Sequence, residues 1–200
     1  MMTPAFEVDV DNVLWAFDQP AYEEAIKLKP DFPSPSLWTR RDIFTRFGIP
    51  REEQAAMFRR AHARQKDYSP FPCAKELLEL LSDHGQVIIA SHRDPDSRGD
   101  LEEWLTAHYL HWDELYVGDD KASLFVRRNI TLCIDDAPMT LAAARQWGIT
   151  AVGLRWPWNK GCECDGLFPD LWALTAWLRE WFREREPKPV KKPGPKPWRY

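Results

Sequence analysis

Ala74-Lys75-Glu76-Leu77-Leu78-Glu79-Leu80-Leu81-Ser82-Asp83-His84-Gly85-Gln86-Val87-Ile88-Ile89-Ala90-Ser91 changes its hydrophobic period part-way along. The leucines at 77, 78, 80 and 81 recur on one side of a helix running from about Ala74 to Asp83, and His84-Gly85 closes it. Val87-Ile88-Ile89-Ala90 then runs apolar without alternation, the pattern of a strand buried on both faces of a parallel sheet. The same rhythm continues downstream. Asp100 to His108 reads as a helix, Glu114 to Val117 as a short strand, and Ile130 to Ile134 as a buried strand. Met139 to Trp147 reads as a helix ending at Gly148, and Ala151 to Leu154 as a last strand. Leu171, Leu174, Leu178 and Trp181 put a final helix over Leu167 to Phe182. Helices alternating with short apolar strands predict an α/β fold with a doubly wound parallel sheet.

Upstream, Ala5 to Val10 is β-rich and runs into Asp9, Asp11 and Asn12, so carboxylates fall at the C-terminal edge of a first strand. From Leu14 to about Pro72 the pattern is helical and loop-like, with a break at Lys29-Pro30-Asp31-Phe32-Pro33-Ser34-Pro35. A helix is expected from Pro50 to Lys66, where Pro starts it and Glu52 and Glu53 suit the dipole of its first turn. The expected organisation is a core formed by residues 1–13 and 73–182, a helical cap over 14–72, and a tail over 183–200. That tail holds five prolines and seven Lys/Arg against two Glu, and reads as disordered with polyproline II character.

The 200 residues are 44% apolar, enough for a real core. No apolar run reaches the 18 residues a membrane helix needs, and the acidic start lacks the basic and apolar regions of a signal peptide, so a cytoplasmic protein with no membrane role is expected. The net charge of −4 divides into +5 for the tail and −9 for the rest. An acidic body excludes an extended polyanion-binding face, whereas the tail offers contact with nucleic acid or another acidic partner. Cys162-Glu163-Cys164 lacks the spacing and second pair of a zinc site and reads as a loop with two thiols.

Four polar signals fall at the ends of expected strands, where open α/β sheets bind ligands. They are Asp9 with Asp11, then Ser91, then Lys121 in a loop, then Asp135 with Asp136. Carboxylates gathered this closely repel unless a cation lies between them, and oxygen-rich sites facing a phosphate suit Mg2+. In order and spacing, Asp9-Val10-Asp11-Asn12-Val13, Ile88-Ile89-Ala90-Ser91, Asp120-Lys121 and Cys133-Ile134-Asp135-Asp136 resemble the four motifs of haloacid dehalogenase-like hydrolases. Within that superfamily the chain is most similar to the 5'(3')-deoxyribonucleotidases. That likeness adds the small cap, Phe71-Pro72-Cys73-Ala74 and Arg155-Trp156-Pro157-Trp158-Asn159. Two positions depart from the family, which usually has Gly where Asn12 and Cys73 stand. Asn tolerates the left-handed conformation, and the change at Cys73 is expected to touch packing more than chemistry.

The resemblance implies a Mg2+-dependent phosphatase acting on a small phosphomonoester, in particular a nucleoside monophosphate. Asp9 would be the nucleophile and a metal ligand, and Asp11 the general acid and base with a metal-binding backbone carbonyl. Ser91 and Lys121 would hold the phosphate, with Asp136, and after it Asp135, as the further metal ligand. His92 and Arg93 would reach phosphate or sugar, Trp15 and Phe17 would stack on a base, and Trp38, Arg40 and Arg41 are further cap candidates. Asn159 would orient a loop beside the site. A polynucleotide end phosphatase using the tail, and a non-catalytic binding protein on the same fold, stay open.

Overall fold

A computed structural model describes residues 3–185, so the expected character of the tail over 186–200 lies outside the described residues. Six strands form one sheet in the order β3-β2-β1-β4-β5-β6, and all five neighbouring pairs are parallel. β1 (Ala5–Val8), β2 (Gln86–Ser91), β3 (Glu114–Val117), β4 (Ile130–Ile134) and β5 (Thr150–Leu154) match the expected strands to within two residues. The first strand enters at the middle of the sheet, and the order reverses there. A switch point of this kind is where an open α/β sheet leaves a crevice above its strand ends.

The uninterrupted apolar runs follow from burial on both faces. Val87 and Ile89 pack with Phe6, Val8, Leu132 and Ile134 in one core layer. Ile88 and Ala90 pack with Ala5, Cys133 and Ala151 in the other. α4 (Ala74–Ser82) and the long α8 (Leu171–Arg185) cover the first layer, where Phe6 meets Phe182 edge-on at 5.5 Å. α6 (Ala122–Arg127) and α7 (Pro138–Gln146) cover the second, through Leu124, Phe125, Leu141 and Ala144. α5 (Arg98–Ala107) completes the first layer with Leu101, Trp104 and Leu105. No helix among the described residues is long and apolar enough to cross a membrane.

Between β1 and α4 the chain forms α1 (Asp18–Leu28), the single turn α2 (Ile43–Arg46) and α3 (Arg51–Ala63). Their cluster of Ala21, Ala25, Phe32, Trp38, Phe44, Ile49, Met57 and Ala61 is separate from the sheet's two layers but takes in Trp158, from the loop after β5. That indole ties the inserted helices to the core. Leu14 and Trp15, at the start of the insertion, pack instead into the sheet's own core.

Three sequence expectations require correction. Leu167 opens no helix: Gly166–Phe168 is the edge strand β6, paired with Val152–Leu154, and α8 starts after Pro169 with Asp170 accepting from Ala173 N at 2.8 Å. Residues 183–185 complete α8 rather than begin the tail. Cys73 does more than pack, for it precedes α4 with φ +72°, a left-handed conformation that explains why glycine suits this position. Asn12 likewise takes φ +60°.

Gly153 is required by close approach, because a Cβ there would lie 2.0 Å from the Asp135 carbonyl oxygen. Gly153→Ala should therefore force β5 from the end of β4 and destabilise the protein by roughly 1–3 kcal/mol, read as a lower denaturant midpoint. An unchanged midpoint would show that the strand ends yield freely.

Candidate functional site

Parallel pairing places Val8 level with both Ile89 and Ile134, so the residues that follow emerge side by side on one sheet edge. Asp9 N donates to Ile134 O at 2.8 Å and Asp135 N to Val152 O at 3.1 Å, which fixes the two backbones as they leave the sheet. Lys121 sits immediately before α6 and turns its side chain inward. Its ammonium donates to Asp9 Oδ1 and, at 2.8 Å, to Asp135 Oδ2, and lies 3.4 Å from Glu7 Oε1. Lys121 is only 5% exposed. Burial alone would lower its pKa, but Asp135, Asp9 and Glu7 outweigh this and hold it well above the ordinary value.

Asp136 belongs to the same cluster but has different partners. Its Oδ2 accepts from Trp158 Nε1 at 3.0 Å and Asn12 Nδ2 at 3.4 Å, while Oδ1 faces Arg41 Nη1 of the cap at 3.4 Å. Asn159 donates to Asp136 O at 3.1 Å and Leu154 O at 2.8 Å, pinning the loop against the acid. Burial pushes the Asp136 carboxyl to about 6, with Arg41 opposing and Asp135 adding to the rise. Burial likewise raises Asp9 well above its usual range, against Lys121 and with help from Asp135, Asp136 and Asp11. Glu7 is wholly buried, has no hydrogen bond to either oxygen, and is raised to about 7 chiefly by burial.

These acids fit a divalent hard cation. One oxygen from each of Asp9, Asp135 and Asp136 lies within 4.8 Å of the others, close to the roughly 3–4 Å separations of ligands around magnesium. With all of them ionised, Glu7, Asp9, Asp135 and Asp136 exceed Lys121 and Arg41 by two charges. Asp135 accepts from Lys121 and, at 2.6 Å, from Ala137 N, and Asp136 accepts from Trp158, Asn12 and Arg41, so both acids are fixed with oxygens beside Asp9.

Asp11 is held apart from this group. Arg93 Nη2 reaches its Oδ1 at 2.5 Å, Trp15 Nε1 donates to the same oxygen at 2.8 Å, and His62 Nε2 lies 3.0 Å from Oδ2. Burial would raise its pKa, yet Arg93 and His62 overcome that and hold it far below the carboxylate range. Arg93 is itself buried and fixed by Ser91 Oγ at 2.8 Å and Gln65 Oε1 at 2.7 Å.

A cavity of about 200 Å³ opens over the cluster, with Asp9, Asp11, Lys121, Asp135 and Asp136 in its floor. His92 and Phe17 line it as expected, and so do Trp38, Arg40 and Arg41. Ser91, Arg93 and Trp15 do not. Trp15 is fully buried against Phe17, Tyr68 and Trp104, so its ring offers no face to a base. Arg93 turns inward to Asp11, and Ser91 Oγ accepts from Arg93. The sequence reading missed Glu7 and His62. Phe58 and His62 are one helical turn apart on α3 and both line the cavity, so an imidazole in register with an apolar position was the available signal.

No family model matches the chain, and no curated protein does. Solved structures do match. A haloacid dehalogenase-like family protein from Streptococcus pneumoniae superposes with a TM-score of 0.62 at 19% identity, covering 88% of this chain and 98% of that one. The fold is haloacid dehalogenase-like. A hydrolase from Pseudomonas syringae gives a TM-score of 0.64 at 20% identity over 90% and 99% of the two chains. A predicted phosphoglycolate phosphatase from Haemophilus somnus gives 0.62 at 16% over 90% and 98%. In this haloacid dehalogenase-like fold the first, third and fourth motif stretches line the crevice above the switch point, and His92, just after the second, lines it too.

Because Glu7 and Asp136 bind protons more tightly folded than unfolded, the metal-free protein should lose stability as pH rises from about 4, their unfolded range, through about 7. Magnesium, competing with those protons, should raise the melting temperature more at pH 8 than at pH 5.5. Thermal unfolding with and without magnesium measures both, and equal magnesium shifts at the two pH values would contradict the assignment.

Proposed function

We propose that this chain is a magnesium-dependent phosphomonoesterase that acts through an aspartyl-phosphate on Asp9 and hydrolyses nucleoside monophosphates, deoxyribonucleotides by preference. The observation that carries this reading is the buried group of Asp9, Lys121, Asp135 and Asp136 beneath a cavity roofed by cap aromatics. A phosphate dianion entering that floor needs positive charge in excess of Lys121, and Mg2+ on Asp9, Asp136 and the Asp11 carbonyl would supply Lewis-acid neutralisation, with Asp135 as the alternative ligand.

Asp9 is the one cluster carboxylate that follows the central strand and opens to the cavity with a single hydrogen-bond partner. Its free oxygen attacks phosphorus as the bond to the leaving oxygen breaks. Lys121 stays beside the attacking carboxylate and offsets charge on the phosphoryl oxygens. The leaving alkoxide needs a proton, and the water that later cleaves the acyl phosphate must lose one. Asp11 lines the same cavity and takes both tasks. Its present grip by Arg93, Trp15 and His62 suits a carboxylate and not a proton donor, so the acid step requires His62 to draw back. His62 lies on a cap helix, which makes cap position the control over that step.

The nucleotide part of the reading rests on the motif likeness and on the cavity's upper wall. Phe17, Phe44, Phe58 and Trp38 give flat apolar surface, and Arg41 adds a cation facing the phosphate end. Base stacking on such a wall contributes about 1–3 kcal/mol per base in single-strand recognition. Purified protein should therefore release phosphate from nucleoside monophosphates only with magnesium, and Phe17→Ala or Phe58→Ala should lower kcat/KM for nucleotides about 10-fold or more relative to p-nitrophenyl phosphate. Equal losses on both substrates with folding intact would remove the base-stacking role. Magnesium-independent hydrolysis would remove the mechanism.

A further inference from the structure

Gln54 stands on the first turns of α3 and lines the cap side of the cavity. Its Nε2 donates to Ile49 O at 2.7 Å and to Thr45 Oγ1 at 3.0 Å, so both amide hydrogens are used. The orientation of this amide is chemically determined. A backbone carbonyl can only accept, so the atom 2.7 Å from Ile49 O must be the NH2 group, and the oxygen must face the other way. Among the described residues no donor reaches Gln54 Oε1, and that oxygen is not sealed in the interior. The other long polar side chains of the cap wall are engaged: Arg40 holds Asp42 at 2.9 Å and Arg41 faces Asp136. Gln54 therefore brings an unpaired acceptor to a cavity that Phe44, Phe58, Trp38 and Ile43 also line.

We propose that Gln54 is a specificity-determining residue whose oxygen accepts a hydrogen bond from an N–H group on the edge of the substrate's base. This rests on the nucleotide reading and narrows it. The substrate's planar group must carry a donor on the edge turned toward α3, and a ring presenting only acceptors there sets its lone pairs against those of Gln54 Oε1. Sites built to pair a substrate N–H reject analogues that lack it far more strongly than apolar pockets reject a change of size. The Ile49 carbonyl makes the discrimination stiff, because the amide cannot turn over to offer a donor instead without losing that contact and setting its oxygen against another acceptor.

The test measures kcat/KM of the wild-type protein for thymidine, deoxycytidine and deoxyadenosine monophosphates and for counterparts whose base N–H groups are methylated. For the preferred nucleotide, methylation should cost about 10-fold or more, the size expected when an acceptor loses its donor in a closed pocket. In Gln54→Met, of similar length and without the acceptor, the ratio between methylated and unmethylated nucleotide should fall to within about 3-fold. If that variant fails to fold, exposed Thr45→Val, which frees one amide hydrogen, should reduce the same ratio. A wild-type ratio below about 3-fold overturns the inference, as does a ratio that neither variant changes. Wild-type protein that hydrolyses p-nitrophenyl phosphate but no nucleoside monophosphate removes the nucleotide reading itself, and the inference with it.

Discussion

The Lys121 ammonium, 5% exposed and enclosed by Asp9, Asp135 and Glu7, is the contact on which the rest of the site depends. An unpaired ammonium cannot remain charged at such a depth, and neither can three carboxylates crowd together without a cation. Each therefore stabilises the other's ionised form. The sheet makes this possible by ending β1 and β4 level with each other, and α6 begins where it can return a lysine between them. The balance is nevertheless incomplete. With all four carboxylates ionised two negative charges are in excess beside a cavity, an excess that a divalent cation would neutralise.

A second ion pair divides labour with the first. Asp11 is only two residues from Asp9, yet it turns to Arg93, Trp15 and His62, and Arg93 is braced in turn by Ser91 and Gln65. Burial thus raises the Asp9 carboxyl, whereas Arg93 and His62 keep that of Asp11 ionised. Opposite shifts in neighbouring acids are how one site separates a nucleophile from an acid-base group. The partners of Asp11 come from three places: the turn after β1, the loop after β2, and cap helix α3. Cap and core therefore meet at Asp11.

The fold was largely legible because strands buried on both faces leave continuous apolar runs, and Val87 to Ala90 or Ile130 to Ile134 admit little else. The edge strand Gly166–Phe168 was not, since three residues at the rim have no period and the strand exists only through its pairing with β5. At the site, Asp9, Lys121, Asp135 and Asp136 could be read from order and spacing because each follows or flanks a strand end. Side-chain direction could not. Ser91 ends β2 and Arg93 lies in the loop after it, yet both turn inward, and Trp15 lies in the turn after β1 but is sealed into the core. Glu7 was hidden because a strand position between Phe6 and Val8 gives no sign that its side chain runs beneath a lysine delivered from 114 residues away. His62 shares a face of α3 with Phe58, but its contact with Asp11 depends on how that helix docks on the core.

The central claim is that Asp9, and no other group, carries the phosphoryl intermediate. Acid-quenched protein taken during magnesium-dependent turnover can be digested and its peptides weighed by mass spectrometry. The peptide containing Asp9 should carry the mass of one phosphoryl group, labile to hydroxylamine as an acyl phosphate is, and that mass should disappear in Asp9→Asn. Phosphate on any other side chain, or turnover that continues undiminished in Asp9→Asn, would contradict it.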